Sequence, residues 1–131
     1  MRKDIKIMLA DDEEDFRKPL SFWLESKGYS VDCAENGEIA IKMIQENTPN
    51  IVLLDLNMPV LDGLGTLKRI REFNKDLPVI IISAYVDDPR VREANAYGIS
   101  GVFYKGKDFK DWLSLLETAL RMHKKLKKNN K

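Results

Sequence analysis

The stretch "NIVLLDLNMPVLDG", residues 50–63, decides the fold of this chain. Residues 51–54 are apolar on both faces of a strand, which is typical of a central parallel strand covered by helices on each side. Asp55 follows this run directly, at the point where the strand ends. Because an unpaired charge is unfavourable beside a buried strand, Asp55 is either a turn residue or a reactive group at the rim of a sheet.

Four further apolar runs flank this stretch and alternate with helical patterns. The predicted strands cover residues 5–10, 29–34, 50–54, 78–83 and 100–105. The predicted helices cover residues 13–27, a segment opened by Asn36-Gly37, residues 64–73, a segment from Asp88-Pro89 to about Gly98, and a last segment from about Asp108. This alternation predicts an α/β fold with a parallel sheet and right-handed crossovers. Five strands in about 120 residues fit the flavodoxin-like (βα)5 doubly wound sheet with strand order 2-1-3-4-5.

Two of the helices carry local predictions. Pro19 lies inside the first helix, where it removes one backbone hydrogen bond, and it therefore predicts a bend. In the second helix, the helical spacing predicts that four side chains face the core: Ile39, Ala40, Met43 and Ile44.

The composition indicates a soluble single domain at residues 1–120 with a basic tail at residues 121–131 that extends the last helix. Cys33 is the only cysteine, so we expect no disulfide framework and no thiolate metal cluster, which fits a reducing cytoplasm. The sequence offers neither a signal peptide nor a membrane span. The tail holds six basic residues, whereas residues before 121 hold 21 acidic against 16 basic ones. This acidic body argues against direct binding of nucleic acid.

Charged and hydroxyl residues close four of the predicted strands. These are Asp11-Asp12 after the first, Asp55 after the third, Ser83 at the end of the fourth and Lys105 at the end of the fifth. Each alone has an ordinary explanation as a helix cap, a turn residue, a structural hydroxyl or a surface lysine. Their joint placement at the carboxyl edge, where ligands bind in open α/β sheets, argues against all four explanations holding together.

The three carboxylates are predicted to converge, because the first and third strands are neighbours in this order. Two such charges 4 Å apart cost about 4 kcal/mol at an effective dielectric constant near 20, and their pKa values should rise. A hard divalent ion, Mg²⁺ or Mn²⁺, relieves this repulsion through oxygen ligands. No histidine or cysteine lies close in sequence to suggest zinc.

Four segments carry a resemblance to a known family. They are "LADDEE" (9–14), "LLDLNMPVLDG" (53–63), "IISA" (81–84) and "GVFYK" (101–105). With them the chain resembles, over about residues 5–120, the receiver domain of two-component response regulators, in particular the single-domain chemotaxis type.

The resemblance implies a role for each residue at this edge. Asp55 would accept a phosphoryl group from a sensor histidine kinase, and Ser83 and Lys105 would contact that group. Four ligands would hold Mg²⁺: Asp11, Asp12, Asp55 and the backbone carbonyl of Asn57.

The resemblance also implies a switch and the partners that read it. Ser83 would draw the loop after the fourth strand inward, and this motion would change the surface offered to partners. We expect a cytoplasmic protein of bacterial or archaeal origin, present as a monomer or a phosphorylation-linked dimer. The sequence leaves no room for a DNA-binding module after residue 120, so the signal is expected to pass to an effector protein or to an output domain absent from this chain.

Three positions depart from the family pattern. Val102 stands where members often carry an aromatic switch residue, and Tyr104, two residues on, is a possible substitute on the same strand face. Gly106 replaces a proline that usually forms a cis bond, so we expect a trans Lys105–Gly106 bond. Pro19 interrupts the first helix.

Asn57 and Tyr85 flank the expected phosphoryl position and are predicted to tune the lifetime of the phosphorylated state.

Two other classes of protein remain as alternatives. A Mg²⁺-dependent phosphohydrolase could use Asp55 as its nucleophile, but such enzymes generally need a second acid–base group and a cap domain. A flavodoxin-type FMN carrier needs a phosphate-binding loop after the first strand. The acidic segment at residues 10–15 would repel that phosphate.

Overall fold

Five strands alternate with five helices, as the hydrophobic pattern predicts. The structure is a computed structural model that describes residues 4–129, with side chains described for residues 4–123. The elements are β1 Lys6–Ala10, α1 Glu14–Ser26, β2 Ser30–Ala34, α2 Gly37–Glu46, β3 Ile51–Asp55, α3 Gly63–Phe73, β4 Val79–Ser83, α4 Pro89–Asn95, β5 Gly101–Tyr104 and α5 Phe109–Asn129.

The strands form one parallel sheet in the order β2-β1-β3-β4-β5, which confirms the predicted topology. β1 therefore lies between β2 and β3, with Ala10 opposite Leu54. Asp55 lies opposite Ile82 of β4, and Ser83 lies opposite Tyr104 of β5. Because all five strands run the same way, the ends of β1, β3 and β4 meet at one edge of the sheet.

The sheet is covered on both faces, so its central strands are buried along their whole length. Every residue of β3 and β4 is buried. One core cluster holds Val52 and Leu54 with residues of α2, α3 and α4, and the other holds Leu53 and Ile80 with residues of α1 and α5. Two-sided burial explains why these strands read as continuous apolar runs.

The predicted inward face of α2 is partly wrong. Ile39 is 38% exposed, whereas Ile41, which the prediction left out, is 3% exposed. Asn36 caps this helix by accepting a hydrogen bond from the backbone N–H of Ile39. With the helix starting at Gly37, the buried stripe is Gly37, Ala40, Ile41 and Ile44, at the i, i+3, i+4, i+7 spacing.

The boundaries of three other helices follow from local chemistry. α1 is continuous with Pro19 inside it, and the bend there stays a prediction. Asp88 caps α4 and Pro89 is its first residue, as predicted. α4 ends at Asn95 rather than near Gly98, because the next three backbone N–H groups bond three residues back. α5 runs to Asn129, while the side chains of residues 124–131 and all of residues 1–3, 130 and 131 lie outside the described residues.

No helix among the described residues is both long enough and apolar enough to cross a membrane.

Gly63 fixes the start of α3 against the end of β3. A Cβ atom at Gly63 would lie 2.2 Å from the backbone oxygen of Asp55 and 2.7 Å from Cα of Leu56. Gly63→Ala should therefore lower the free energy of unfolding by about 1–3 kcal/mol, measured by urea denaturation. Gly65→Ala is the matched control, because its Cβ would mainly meet the flexible side chain of Leu61. Equal losses in the two variants would contradict this role for Gly63.

Candidate functional site

Three carboxylates meet at the carboxyl edge of β1 and β3. Asp11 and Asp55 are buried and Asp12 is exposed, and each offers an oxygen that lies within 4.8 Å of the others. Adjacency of β1 and β3 produces this convergence, since the pair after β1 and the last residue of β3 project from the same sheet edge. The structure thus brings the three predicted carboxylates together.

Asp11 contributes a buried oxygen that lacks a hydrogen bond. Its Oδ1 accepts a hydrogen bond of 2.8 Å from the backbone N–H of Glu13, whereas its Oδ2 has no such partner. This Oδ2 lies 3.3 Å from Nζ of Lys105, a distance within ion-pair range. Burial raises the pKa of Asp11 more than its hydrogen bond and Lys105 lower it. A buried carboxylate oxygen with spare acceptor capacity fits a cation better than a fully bonded one would.

The surroundings of Asp55 destabilise the ionised form of its carboxylate. Burial, together with the charge of Asp11, raises its pKa to about 7, against the lowering effect of Lys105 and of the backbone N–H of Asn57. That N–H donates to Oδ1 of Asp55 over 3.3 Å. Near neutral pH the Asp11–Asp55 pair therefore holds a proton part of the time, and a divalent cation could take the place of that proton.

Lys105 is already directed into the site. Its Nζ lies 3.3 Å from Oδ2 of Asp55, contacts the carboxylate of Glu13 and sits 4.7 Å from the ring centre of Phe16. Its side chain is only 15% exposed, which rules out the ordinary explanation of a solvated lysine. Burial lowers the pKa of Lys105, but Glu13, Asp55 and Asp11 together outweigh burial and keep the pKa above its usual value. Lys105 therefore carries a fixed positive charge beside the carboxylates.

Ser83 lies at the same edge but its hydroxyl points into its own loop. Its Oγ donates to the backbone oxygen of Tyr85 over 2.7 Å and accepts from the N–H of Tyr85 over 3.2 Å. Its backbone oxygen accepts from the N–H of Lys105 over 2.9 Å. Ser83 thus ends β4 at the same sheet edge as the carboxylates, but its hydroxyl is bonded to the backbone of Tyr85.

Local contacts hold the part of the β3–α3 loop that leads into α3. Val60 has a φ of 71°, which is uncommon for a β-branched residue, and the N–H of Leu61 bonds to the oxygen of Pro59 over 2.7 Å. Asp62 caps α3 by accepting from the N–H of Gly65 over 2.8 Å. These contacts fix the backbone of residues 59–65 at the start of α3.

Two residues of the site were missed by the sequence patterns. Glu13 pairs with Lys105, and its place directly after the acidic pair was a usable signal. Arg90 donates to Oδ1 of Asn57 over 2.7 Å and to the backbone oxygen of Leu56 over 3.1 Å. These partners lie more than thirty residues earlier in the chain, so no local pattern could have indicated the contact.

The family profile agrees with this geometry. Residues 7–117 match the family described as "Response regulator receiver domain". The chain belongs to this family. It is therefore a receiver domain of two-component response regulators, and the resemblance found in its sequence is confirmed.

The known relatives of this receiver domain include a much longer protein and chains of similar length. The regulatory protein AtoC of Escherichia coli (strain K12) is 31% identical over 117 residues, which cover 89% of this chain and 25% of AtoC. The chain thus spans about a quarter of the length of that relative. Among solved structures, the receiver domain of NtrX from Brucella abortus has a TM-score of 0.83 and 27% identity, covering 88% of this chain and 98% of that one. The chemotaxis protein CheY4 of Vibrio cholerae has a TM-score of 0.79 and 25% identity, with the same coverage.

Two of the three departures of this receiver domain from the family pattern, Val102 and Gly106, lie in or directly after β5. Val102 packs against the core cluster on the α2–α4 side, and Tyr104 is half-buried. No peptide bond among residues 4–129 is cis, which confirms the trans Lys105–Gly106 bond, and Gly106 has a φ of 96° that only glycine adopts readily. Tyr104 as a substitute switch residue stays a prediction.

Proposed function

We propose that Asp55 accepts a phosphoryl group from a sensor histidine kinase and that this event switches the surface of the domain. The observation that carries the proposal is a buried carboxylate, Asp55, held between the charge of Asp11 and the ammonium group of Lys105 at the sheet edge. Such a carboxylate is poorly stabilised as an anion, so forming a covalent bond or binding a cation would stabilise it. The chain would catalyse only its own phosphoryl transfer and dephosphorylation.

Mg²⁺ is the cofactor that fits the donor set, with Mn²⁺ as a chemical substitute. The oxygens of Asp11, Asp12 and Asp55 are hard ligands, and Oδ2 of Asp11 has acceptor capacity left over. The backbone oxygen of Asn57 is proposed as a further ligand. When bound, the ion neutralises the carboxylates and offsets the charge of an incoming phosphoryl group.

The transfer is an in-line displacement at phosphorus. A carboxylate oxygen of Asp55 forms a bond to phosphorus, while the bond from phosphorus to the donor nitrogen breaks and its electron pair stays with the donor, which takes up a proton. The ammonium group of Lys105 exchanges its contacts with the carboxylates for a contact with a phosphoryl oxygen. Because Lys105 is already 3.3 Å from Asp55, this step needs little movement of its side chain.

The switch would operate through Ser83 and the loop after β4. In the present state its hydroxyl is bonded to the backbone of Tyr85. Exchange of these bonds for one to a phosphoryl oxygen would pull the loop inward and move the exposed side chains of Tyr85 and Val86. A downstream effector protein, or an output domain beyond this chain, would recognise the altered surface.

The remaining expectations form part of the same proposal. Residues 1–120 would be the receiver domain and residues 121–131 a basic extension of α5. The protein would act in the cytoplasm as a monomer or as a dimer that forms on phosphorylation, without contacting nucleic acid or membrane itself. Longer relatives such as AtoC, of which this chain covers 25%, support an output domain as a partner.

The proposal is tested by treating the wild-type protein with a small phosphodonor, with Mg²⁺ or with a chelator. We expect the intact mass to rise by one acid-labile phosphoryl group in Mg²⁺ and to stay unchanged in chelator. Borohydride reduction should then convert Asp55 to homoserine, which peptide mass spectrometry locates. Continued turnover of many phosphoester molecules per protein would instead favour the phosphohydrolase, and no uptake at all would refute the proposal.

A further inference from the structure

Arg90 joins the first turn of α4 to the loop that follows Asp55. Its guanidinium group donates to the backbone oxygen of Leu56 over 3.1 Å and to Oδ1 of Asn57 over 2.7 Å. Leu56 and Asn57 are the two residues after Asp55, and the N–H of Asn57 itself bonds to the Asp55 carboxylate. Arg90 thus reaches the immediate neighbours of the phosphoacceptor without touching its carboxylate.

The contact sets the orientation of the Asn57 amide. An arginine side chain has five N–H donors and no acceptor, so its partner on Asn57 must be the amide oxygen. The amide nitrogen is left on the other side, as the group that can face solvent or ligand. In this arrangement Asn57 can donate a hydrogen bond, while its oxygen is held against the guanidinium group and already accepts one charge-assisted bond.

Asp88 holds Arg90 in this position. Its Oδ1 accepts from Nε of Arg90 over 3.0 Å and its Oδ2 accepts from Nη2 over 2.7 Å, while Oδ1 also caps α4 through the N–H of Arg90. Hydrogen bonding to Arg90 lowers the pKa of Asp88, which stays ionised. Asp62 adds a weaker ion pair at 3.8 Å. The guanidinium group is therefore preorganised before it meets Asn57.

We infer that Arg90 is a positioning residue that slows loss of the phosphoryl group from Asp55. In hydrolysis, a water oxygen bonds to phosphorus, and the bond between phosphorus and the Asp55 oxygen breaks with its electron pair returning to the carboxylate. One water proton stays on the new P–OH group, and the other passes to the released phosphate or to solvent. The water is best aligned by an acceptor that takes one of its hydrogens. Because Arg90 binds the amide oxygen of Asn57, that oxygen is less able to accept a hydrogen from the water. The inference rests on the proposed function of Asp55.

The test is a double-mutant cycle between Arg90 and Asn57, read as phosphoryl loss. Wild type, Arg90→Ala, Asn57→Ala and the double variant are phosphorylated with a small phosphodonor and Mg²⁺, freed of donor, and followed by intact mass over time. Arg90→Ala should lose the group roughly three- to tenfold faster, the rate equivalent of about one net hydrogen bond. Asn57→Ala sets its own reference rate, and the double variant should lose the group at that same rate, because no amide oxygen is left for the loss of Arg90 to release.

Lys68→Ala is the matched structural control. Nζ of Lys68 pairs with Glu93 over 2.7 Å, so this variant also loosens α4 from the rest of the domain, but it removes no contact with Asn57. We expect it to lose the phosphoryl group at the wild-type rate. A merely structural role for Arg90 would give Lys68→Ala and Arg90→Ala the same acceleration, and that result would overturn the inference.

The remaining outcomes separate this inference from the proposed function. If wild type takes up no phosphoryl group, the proposed function fails. If it does, and Arg90→Ala loses the group at the wild-type rate or more slowly, only the role of Arg90 fails. An acceleration that persists in the Asn57→Ala background also overturns it, since Arg90 would then act through its charge and not through the amide.

Discussion

Replacing Asp55 with asparagine should abolish phosphoryl uptake, the largest effect expected of any single change in this protein. The substitution keeps the shape of the side chain, so its two neighbours, Asp11 and Lys105, keep their packing. It removes the nucleophile, because a neutral amide oxygen does not form a stable bond to phosphorus under these conditions. Uptake from a small phosphodonor in Mg²⁺ should fall at least about a thousandfold, to below detection by intact mass.

A matched control separates this loss from a general effect of charge. Asp32→Asn makes the same change at a side chain of β2 that is 43% exposed and pairs only loosely with Lys6, at 3.7 Å. It should take up one phosphoryl group as the wild type does. If Asp55→Asn still took up the group, Asp55 would not be the acceptor. Another carboxylate of the cluster would then be the acceptor, with Asp12 as the first candidate because it is exposed.

The carboxyl edge could be predicted from sequence because it follows from topology. β3 and β4 are buried on both faces, and continuous apolar runs of this kind indicate central parallel strands. Once the order β2-β1-β3-β4-β5 is inferred, Asp11 and Asp55 must meet, whatever the details of the loops. The family resemblance added the chemical roles, which the pattern of residues alone left open.

The contacts made by the loops could not be predicted in this way. The bond between Arg90 and Asn57 joins the first turn of α4 to the loop after β3, and its geometry depends on where Asp88 and Pro89 start α4. The hydroxyl of Ser83 could face Asp55 or its own loop, and strand position does not decide between them. Ile39 was misplaced for a similar reason, because the exact residue at which α2 begins rotates its buried stripe.

The electrostatics of the cluster also predict how stability depends on pH. Burial and the charge of Asp11 raise the pKa of Asp55 from 3.8 to about 7 in the folded protein. Below the unfolded pKa, the side chain is protonated in both states and its burial carries no charge penalty. As pH rises between the two values, the unfolded chain releases the proton while the folded protein keeps it, so the folded state loses stability until the pH passes about 7.

Metal-free wild type should therefore lose about 2 kcal/mol of unfolding free energy from about pH 5.5 to about pH 8 through Asp55. Asp55→Asn should lose less, because only Asp11 of the pair then keeps a raised pKa. The measurement is urea denaturation in chelator at each pH, and the two proteins differ only at residue 55. Saturating Mg²⁺ should restore wild-type stability mainly at the higher pH, because the cation competes with protons for the same oxygens. Parallel pH curves for the two proteins would show that Asp55 is ionised in the folded state without penalty, and the electrostatic argument for a cation here would fail.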